Sequence, residues 1–192
     1  MTIADKWNSR YADRLPADQQ ACEVLQEHAH LLPRNGDALE LASGLGGNAI
    51  FLAQHGLSTC AWDISSIAVE KLNAYAVDKT WSLKAEVHDV EKNPPKKECF
   101  DVIVVSYFLY RELLPFLSAA LRPNGLLFYQ TFTTERPLDS PGPSNLNFLL
   151  QPNELLKTFS EMKILAYRED SESGDSREGR RGIASLVAQR PK

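Results

Sequence analysis

The chain has 192 residues and a formal net charge of −4, with a pI near 5.6; that length suits one domain and is too short for two full α/β domains. Its basic residues are scattered and leave no footprint for a nucleic-acid backbone, and the local group Arg177, Arg180 and Arg181 stands among Glu and Gly as a solvated loop. No apolar run approaches the roughly 20 residues of a membrane span, no basic stretch followed by an apolar core opens the chain, and Cys22, Cys60 and Cys99 are too widely spaced for a disulfide framework or a Cys-x-x-Cys metal site, so the expected location is a reducing cytoplasm.

Taken in chain order, Trp7, Arg10 and Tyr11 precede the first regular apolar segment, and residues 1–35 are expected to form a helical lid or cap on a sheet core spanning 36–192. Residues 37–42 read as a first strand. The glycine turn Ser43-Gly44-Leu45-Gly46-Gly47 follows, then a helix over 48–55 closed by Gly56. A second strand over 58–64 carries Asp63. Ser65 and Ser66 then cap a helix whose apolar positions Val69, Leu72 and Ala76 recur at helical spacing. Residues 83–88 alternate as a half-buried third strand and deliver Asp89 to its carboxyl end. The almost unbroken apolar run 100–107 is a fully covered parallel strand.

A helix over 112–121, stopped by Pro123-Asn124-Gly125, leads into a fifth strand over 126–132. Gln151-Pro152 opens another helix with Leu155, Leu156 and Phe159 inward, and strands over 163–168 and 183–188 follow. Between them lie only polar residues, so these two must pair as an antiparallel hairpin. The polar, turn-rich stretches 137–147 and 170–182 are loops. The alternation predicts a doubly wound, Rossmann-like α/β sheet, mostly parallel, with a ligand crevice at the carboxyl ends of its strands.

The strand, glycine turn and helix around Gly44 and Gly46 form a nucleotide-binding corner, because glycine backbones admit close approach and the N–H groups opening the helix favour a carboxylate or other anion. Asp63, ending the next strand, sits where a carboxylate can hold a ribose. Two readings of Glu40 stand open: it takes a ligand ammonium group, or it holds the turn by accepting backbone hydrogen bonds. His28, His30, His55 and His88 lack metal-ligand spacing, and no metal site is expected. Cys60 and Cys99 are expected as small apolar fillers.

Glu40-Leu41-Ala42-Ser43-Gly44-Leu45-Gly46, Asp63, Asp89-Val90 and Leu121-Arg122-Pro123-Asn124-Gly125 together resemble the class I S-adenosylmethionine-dependent methyltransferases, with Asn124 in place of a family glycine. The resemblance implies a seven-stranded sheet whose last strand inserts antiparallel, and S-adenosyl-L-methionine as cofactor. It implies that Glu40, Gly44 and Gly46 line the cofactor site, that Asp63, with Ile64 beside it, contacts the ribose, and that Asp89 and Val90 flank the adenine. Trp7-Asn8-Ser9-Arg10-Tyr11 and the segment from Asn147 to Leu156 resemble the small bacterial tellurite-resistance type group.

Methyl transfer is an in-line displacement that needs positioning and exclusion of water, and a base only for a protonated acceptor. Tyr107, at the end of the fourth strand, and Arg111 just beyond it are the expected acceptor-facing residues, competing respectively with packing and with a surface ion pair. The expected acceptor is a small molecule, soft or anionic; a protein acceptor stays open, and oligomeric state is not written in the sequence. Two other classes remain: an NAD(P)-binding oxidoreductase, since 44–49 also satisfies the dinucleotide pattern, and a non-catalytic cofactor-binding or interaction domain.

Overall fold

The computed structural model describes residues 2–137, 140, 142–175 and 177–192. Leu138, Asp139 and Pro141 of the first expected loop, and Ser176 of the second, lie outside the described residues. Seven strands form one sheet: β1 (Asp37–Leu41), β2 (Ser58–Asp63), β3 (Leu83–Val87), β4 (Phe100–Ser106), β5 (Leu121–Phe132), β6 (Lys163–Glu169) and β7 (Ile183–Gln189), in the order β3-β2-β1-β4-β5-β7-β6. β3 through β5 run parallel in that order, and β7 inserts antiparallel between β5 and β6.

Alternate residues of each strand feed opposite layers. Ala38, Val102, Val104, Phe128 and Val187 pack with Val24 and Leu25 of α2 (Glu23–Glu27) and Leu52 of α3 (Gly47–Gln54). Ala49 and Ile50 of α3 join Val69 and Leu72 of α4 (Ser66–Ala76) against Ala61 and Ala85. On the other face Leu39, Leu41, Ile103, Val105, Leu127, Tyr129 and Leu186 pack with Leu114 and Leu117 of α5 (Leu114–Ala120) and Leu155 of α6 (Glu154–Thr158).

Most boundaries agree with the sequence pattern, and the differences have local causes. The first strand stops at Leu41 because Ala42 takes a left-handed φ of 51° to enter the turn. The helix expected over 112–121 begins as a 3-10 turn, Arg111–Leu113, and gives way to β5 at Leu121. Pro123-Asn124-Gly125 does not precede β5 but lies within it: Phe100 pairs with Leu121 and Val102 with Leu126, so the extra residues bulge out, with Asn124 at φ 66°. β3 is an edge strand that buries only Ala85, and Leu156 is only partly buried. Cys60 is half-buried and packs against the core as an apolar filler, and Cys99 is half-buried.

The N-terminal segment contributes α1 (Ile3–Tyr11), started by a capping box in which Asp5 N–H donates to Thr2 Oγ1 and Thr2 N–H to the Asp5 carboxylate. α1 buries no residue fully, so polar contacts hold it. Asn8 Oδ1 accepts from Ser65 Oγ at 2.7 Å and from Ile67 N at 3.3 Å. Lys71 Nζ donates to the carbonyls of Tyr11 at 3.0 Å and Arg14 at 2.9 Å, and to that of Ala12. Among the described residues no helix is long and apolar enough to cross a membrane.

Candidate functional site

The carboxyl ends of β1, β2, β4 and β5 bring most of the expected residues to one edge of the sheet. At the turn after β1, Gly44 has φ 53° and Gly46 has φ 79°, values that side chains strain to adopt. A Cβ on Gly46 would lie 2.3 Å from Leu72 Cδ2, so this glycine also lets α4 pack against the turn. A Cβ on Gly44 would lie 2.6 Å from the Tyr11 hydroxyl, which places the end of α1 directly over the turn. Burial, and then the charge of Asp63, push the Tyr11 hydroxyl up to about 12.

Asp63 is buried and ties β2 to the turn: Oδ2 accepts from Gly44 N at 2.6 Å and Oδ1 from Ser65 N at 2.8 Å. Burial raises its carboxyl above the usual range, although the Ser65 and Gly44 N–H groups oppose that rise. A carboxylate has about four acceptor positions, so about two remain for ligand hydroxyls.

Glu40 is more deeply buried. Its Oε1 accepts from Asn48 Nδ2 at 2.7 Å and its Oε2 from Ala49 N at 2.7 Å. Of the two readings left open by the sequence, these bonds are those of a group that fixes the turn and the start of α3. Burial lifts Glu40 to about 8, against the pull of those same N–H donors.

Asn48 extends the network. Its Nδ2 also donates to Ser106 Oγ at 2.9 Å, and its Oδ1 accepts Cys22 N at 2.8 Å. Ser43 Oγ, also buried in the turn, has no hydrogen-bond partner. An orphaned hydroxyl, two side-chain-free backbones and open acceptor positions on Asp63 fit a polar ligand carrying hydroxyl and carboxylate groups.

The remaining expected residues sit differently. Asp89 caps its own turn, accepting Lys92 Nζ at 2.8 Å and Glu91 N at 3.2 Å, while Val90 is buried in the core and Ile64 follows Asp63 half-exposed. Arg111 points away from the turn: Nε and Nη2 clamp the Glu154 carboxylate at 2.7 and 2.9 Å, and Nη1 and Nη2 each donate at 2.9 Å to the carbonyls of Asn147 and Leu149. The ion pair weighed from the sequence is thus made with Glu154 rather than at the helix of Glu112.

Tyr107 has φ 55°, a strained value for a non-glycine residue at a strand end, and its side chain is 46% exposed. Its hydroxyl accepts Gln130 Nε2 at 2.9 Å and donates, at a long 3.4 Å, to Glu23 Oε2; Gln130 Nε2 also donates to Glu23. Gln130 Oε1 in turn accepts Val24 N at 3.0 Å. Glu23, Gln130 and Asn48 were not singled out from the sequence. The available signal was a glutamine inside the apolar strand 126–132, since a buried amide needs partners. Among the described residues, no group of three or more His, Cys, Asp or Glu side chains is placed to hold a metal.

A mixed seven-stranded sheet in this order, with a glycine turn and acidic residues at the carboxyl ends of β1 and β2, defines a Rossmann-like methyltransferase fold. The family profile described as "Methyltransferase domain" matches residues 11–167, and the chain belongs to that family. TehB from Haemophilus influenzae superposes with a TM-score of 0.72 at 19% identity, over 97% of this chain and 67% of that one. A SAM-dependent methyltransferase from Methanosarcina mazei gives 0.67 at 14% identity, over 90% and 99%. Geranyl diphosphate C-methyltransferase from Streptomyces coelicolor A3(2), solved with S-adenosyl-L-homocysteine, gives 0.67 at 13%, over 88% and 77%. Among curated sequences, "Hemagglutinin 1" of Eikenella corrodens is 29% identical over 140 residues, covering 68% of this chain; the chain spans only 45% of that relative's length.

Proposed function

We propose that the protein transfers the methyl group of S-adenosyl-L-methionine to a small-molecule acceptor. The observation that carries this reading is the corner where Gly44, Gly46, Ser43 and Asp63 meet: a glycine turn beneath the Tyr11 hydroxyl, with an unpartnered hydroxyl and a buried carboxylate that retains acceptor capacity. In this reading Asp63 receives the ribose hydroxyls, and the turn around Gly44 and Gly46 receives the carboxylate. Glu40 holds the turn through Asn48 and Ala49. Ile64 lies beside Asp63, and Asp89 and Val90 border the adenine.

The cofactor, when bound, supplies an electrophilic methyl group; the chain supplies orientation and shelter from water. Tyr107 faces the acceptor, and Arg111 positions the segment 146–150 instead of touching the reactants. The likeness to TehB, at 19% identity, supports the fold; tellurite therefore enters as one acceptor to assay. Isothermal titration with S-adenosylmethionine, S-adenosylhomocysteine and NADH tests the reading. Saturable binding of the two adenosyl ligands alone is the expected result, and binding of NADH alone overturns it in favour of an oxidoreductase.

A further inference from the structure

Beyond the cofactor corner, the carboxyl ends of β4 and β5 carry a second polar group whose chemistry differs from that of an anion site. Glu23 opens α2 and is exposed. Its carboxylate accepts Gln130 Nε2 and meets the Tyr107 hydroxyl at 3.4 Å. The Tyr107 ring, whose hydroxyl meets that carboxylate, lies 5.1 Å from the ring of Phe132, centroid to centroid, and tilted 40°, so an aromatic pair adjoins the carboxylate through Tyr107. The group adjoins the cofactor corner through Asn48, which bonds both Glu40 and Ser106, the residue before Tyr107, and which also fixes Cys22, the residue before Glu23.

The charged group facing Glu23 from the β6–β7 loop is Arg180, whose guanidinium is ion-paired with Glu27. Carboxylate together with aromatic faces is the chemistry that receives a cation.

We propose that Glu23, Tyr107 and Phe132 form the acceptor subsite and that the acceptor is an amine, bound through its nitrogen. The inference rests on the methyltransferase reading and narrows it, replacing the soft or anionic acceptor expected from the sequence. A thiolate or oxyanion arriving here meets the negative charge of Glu23, and an amine is attracted by it. Burial raises the Glu23 carboxyl, but the Gln130 bond, its own backbone N–H and Arg180 outweigh that and hold it below the usual range.

Glu23 therefore stays ionised and acts by charge. The amine sheds its proton to water, its lone pair forms the new N–C bond, the electron pair of the broken C–S bond stays on sulfur, and the methylated ammonium leaves with the positive charge. Burial and the charge of Glu23 keep the Tyr107 hydroxyl protonated, up to about 12, so it orients the nitrogen and takes no proton.

The test uses the full chain loaded with S-adenosylhomocysteine and titrated with phenethylamine, phenylacetate and benzyl mercaptan. Formation of S-adenosylhomocysteine from S-adenosylmethionine is then followed with the same three probes. Amine-selective binding is expected. In Glu23→Gln the amine Kd and KM should rise about tenfold, with kcat changed less and S-adenosylhomocysteine affinity unchanged, and Glu23→Asp should restore part of the loss. Tyr107→Leu, which removes one aromatic face and leaves Glu23, gives a second variant should Glu23→Gln fold poorly, and it too should weaken the amine. Preference for the thiol or the carboxylate, no binding of the amine, or equal amine affinity in the variants overturns the proposal. Failure of S-adenosylhomocysteine itself to bind overturns the methyltransferase reading instead.

Discussion

Asp63 joins two jobs in one side chain, because the carboxylate proposed to hold the ribose also closes the glycine turn through Gly44 N and Ser65 N. Asp63→Ala should therefore cost stability, on the order of 3 kcal/mol for two charge-assisted bonds, and should weaken cofactor binding by roughly 1.5–3 kcal/mol. Urea denaturation and titration with S-adenosylhomocysteine read the two losses separately. Unchanged affinity in a folded variant would leave Asp63 with the turn alone.

Glu40 gives a pH signature. Its carboxyl is raised from 4.5 to about 8 in the fold, so between those values the folded chain keeps a proton that the unfolded chain has released. Stability must then fall as pH rises through this window, by up to about 1.4 kcal/mol per pH unit, and level off above it. Unfolding free energies measured from pH 5 to pH 9 should show that slope in the wild type and lose it in Glu40→Gln. Equal slopes would mean that Glu40 is ionised throughout. The carboxylates held low by partners, such as Asp170 at about 2, titrate below this range and add stability that is lost only in acid.

Among the elements, α1 and α2 are held differently from the helices of the core. α4 and α5 are fixed by buried apolar faces; α4 was legible as the periodicity of Val69, Leu72 and Ala76, and α5 by its stop before Pro123-Asn124-Gly125. α2 has five residues and no side-chain cap of its own; the N–H of Val24 is met by Gln130, and that of Cys22, just before the helix, by Asn48. Nothing in residues 22–27 announces partners that lie 26 and 106 positions away. For that reason Glu23 escaped a reading built on local pattern, whereas Gly44, Gly46 and Asp63 did not: their spacing is local to one strand-turn-helix-strand unit.

α1 has no fully buried residue and is anchored through Lys71 and Asn8. Lys71→Met should speed amide exchange across Ile3–Tyr11 at least tenfold while moving overall stability by less than about 1 kcal/mol, since a helix without a buried face opens locally. Hydrogen exchange read by mass spectrometry checks this, and unchanged protection of those residues would show that the Trp7 and Tyr11 rings suffice to hold the helix.

For the whole molecule, one continuous sheet with apolar layers on both faces predicts one cooperative transition. Far-ultraviolet circular dichroism and tryptophan fluorescence, from Trp7 in α1, Trp62, which stacks on His88 at 3.9 Å, and Trp81, should report coincident midpoints. Separate midpoints would divide the N-terminal segment from the sheet. Fold class and strand direction were readable throughout because the crossovers and the helix-free link between β6 and β7 leave few topologies. What the pattern did not carry was the bulge at Asn124 and the destination of Arg111, both decided by contacts distant in sequence.

The placement of β7 also sets an order of events during synthesis. β6 is made before β7, yet its place in the sheet is beside β7 alone, so it has no neighbour until residues 183–189 have left the ribosome. Until then the nascent sheet ends at β5, and Leu126, Phe128 and the backbone groups of 126–132 present an unpaired edge that another chain can join. A chaperone that shields such edges would be needed most by chains stalled in the β6–β7 loop, after nearly the whole methyltransferase core has been made and before it can close.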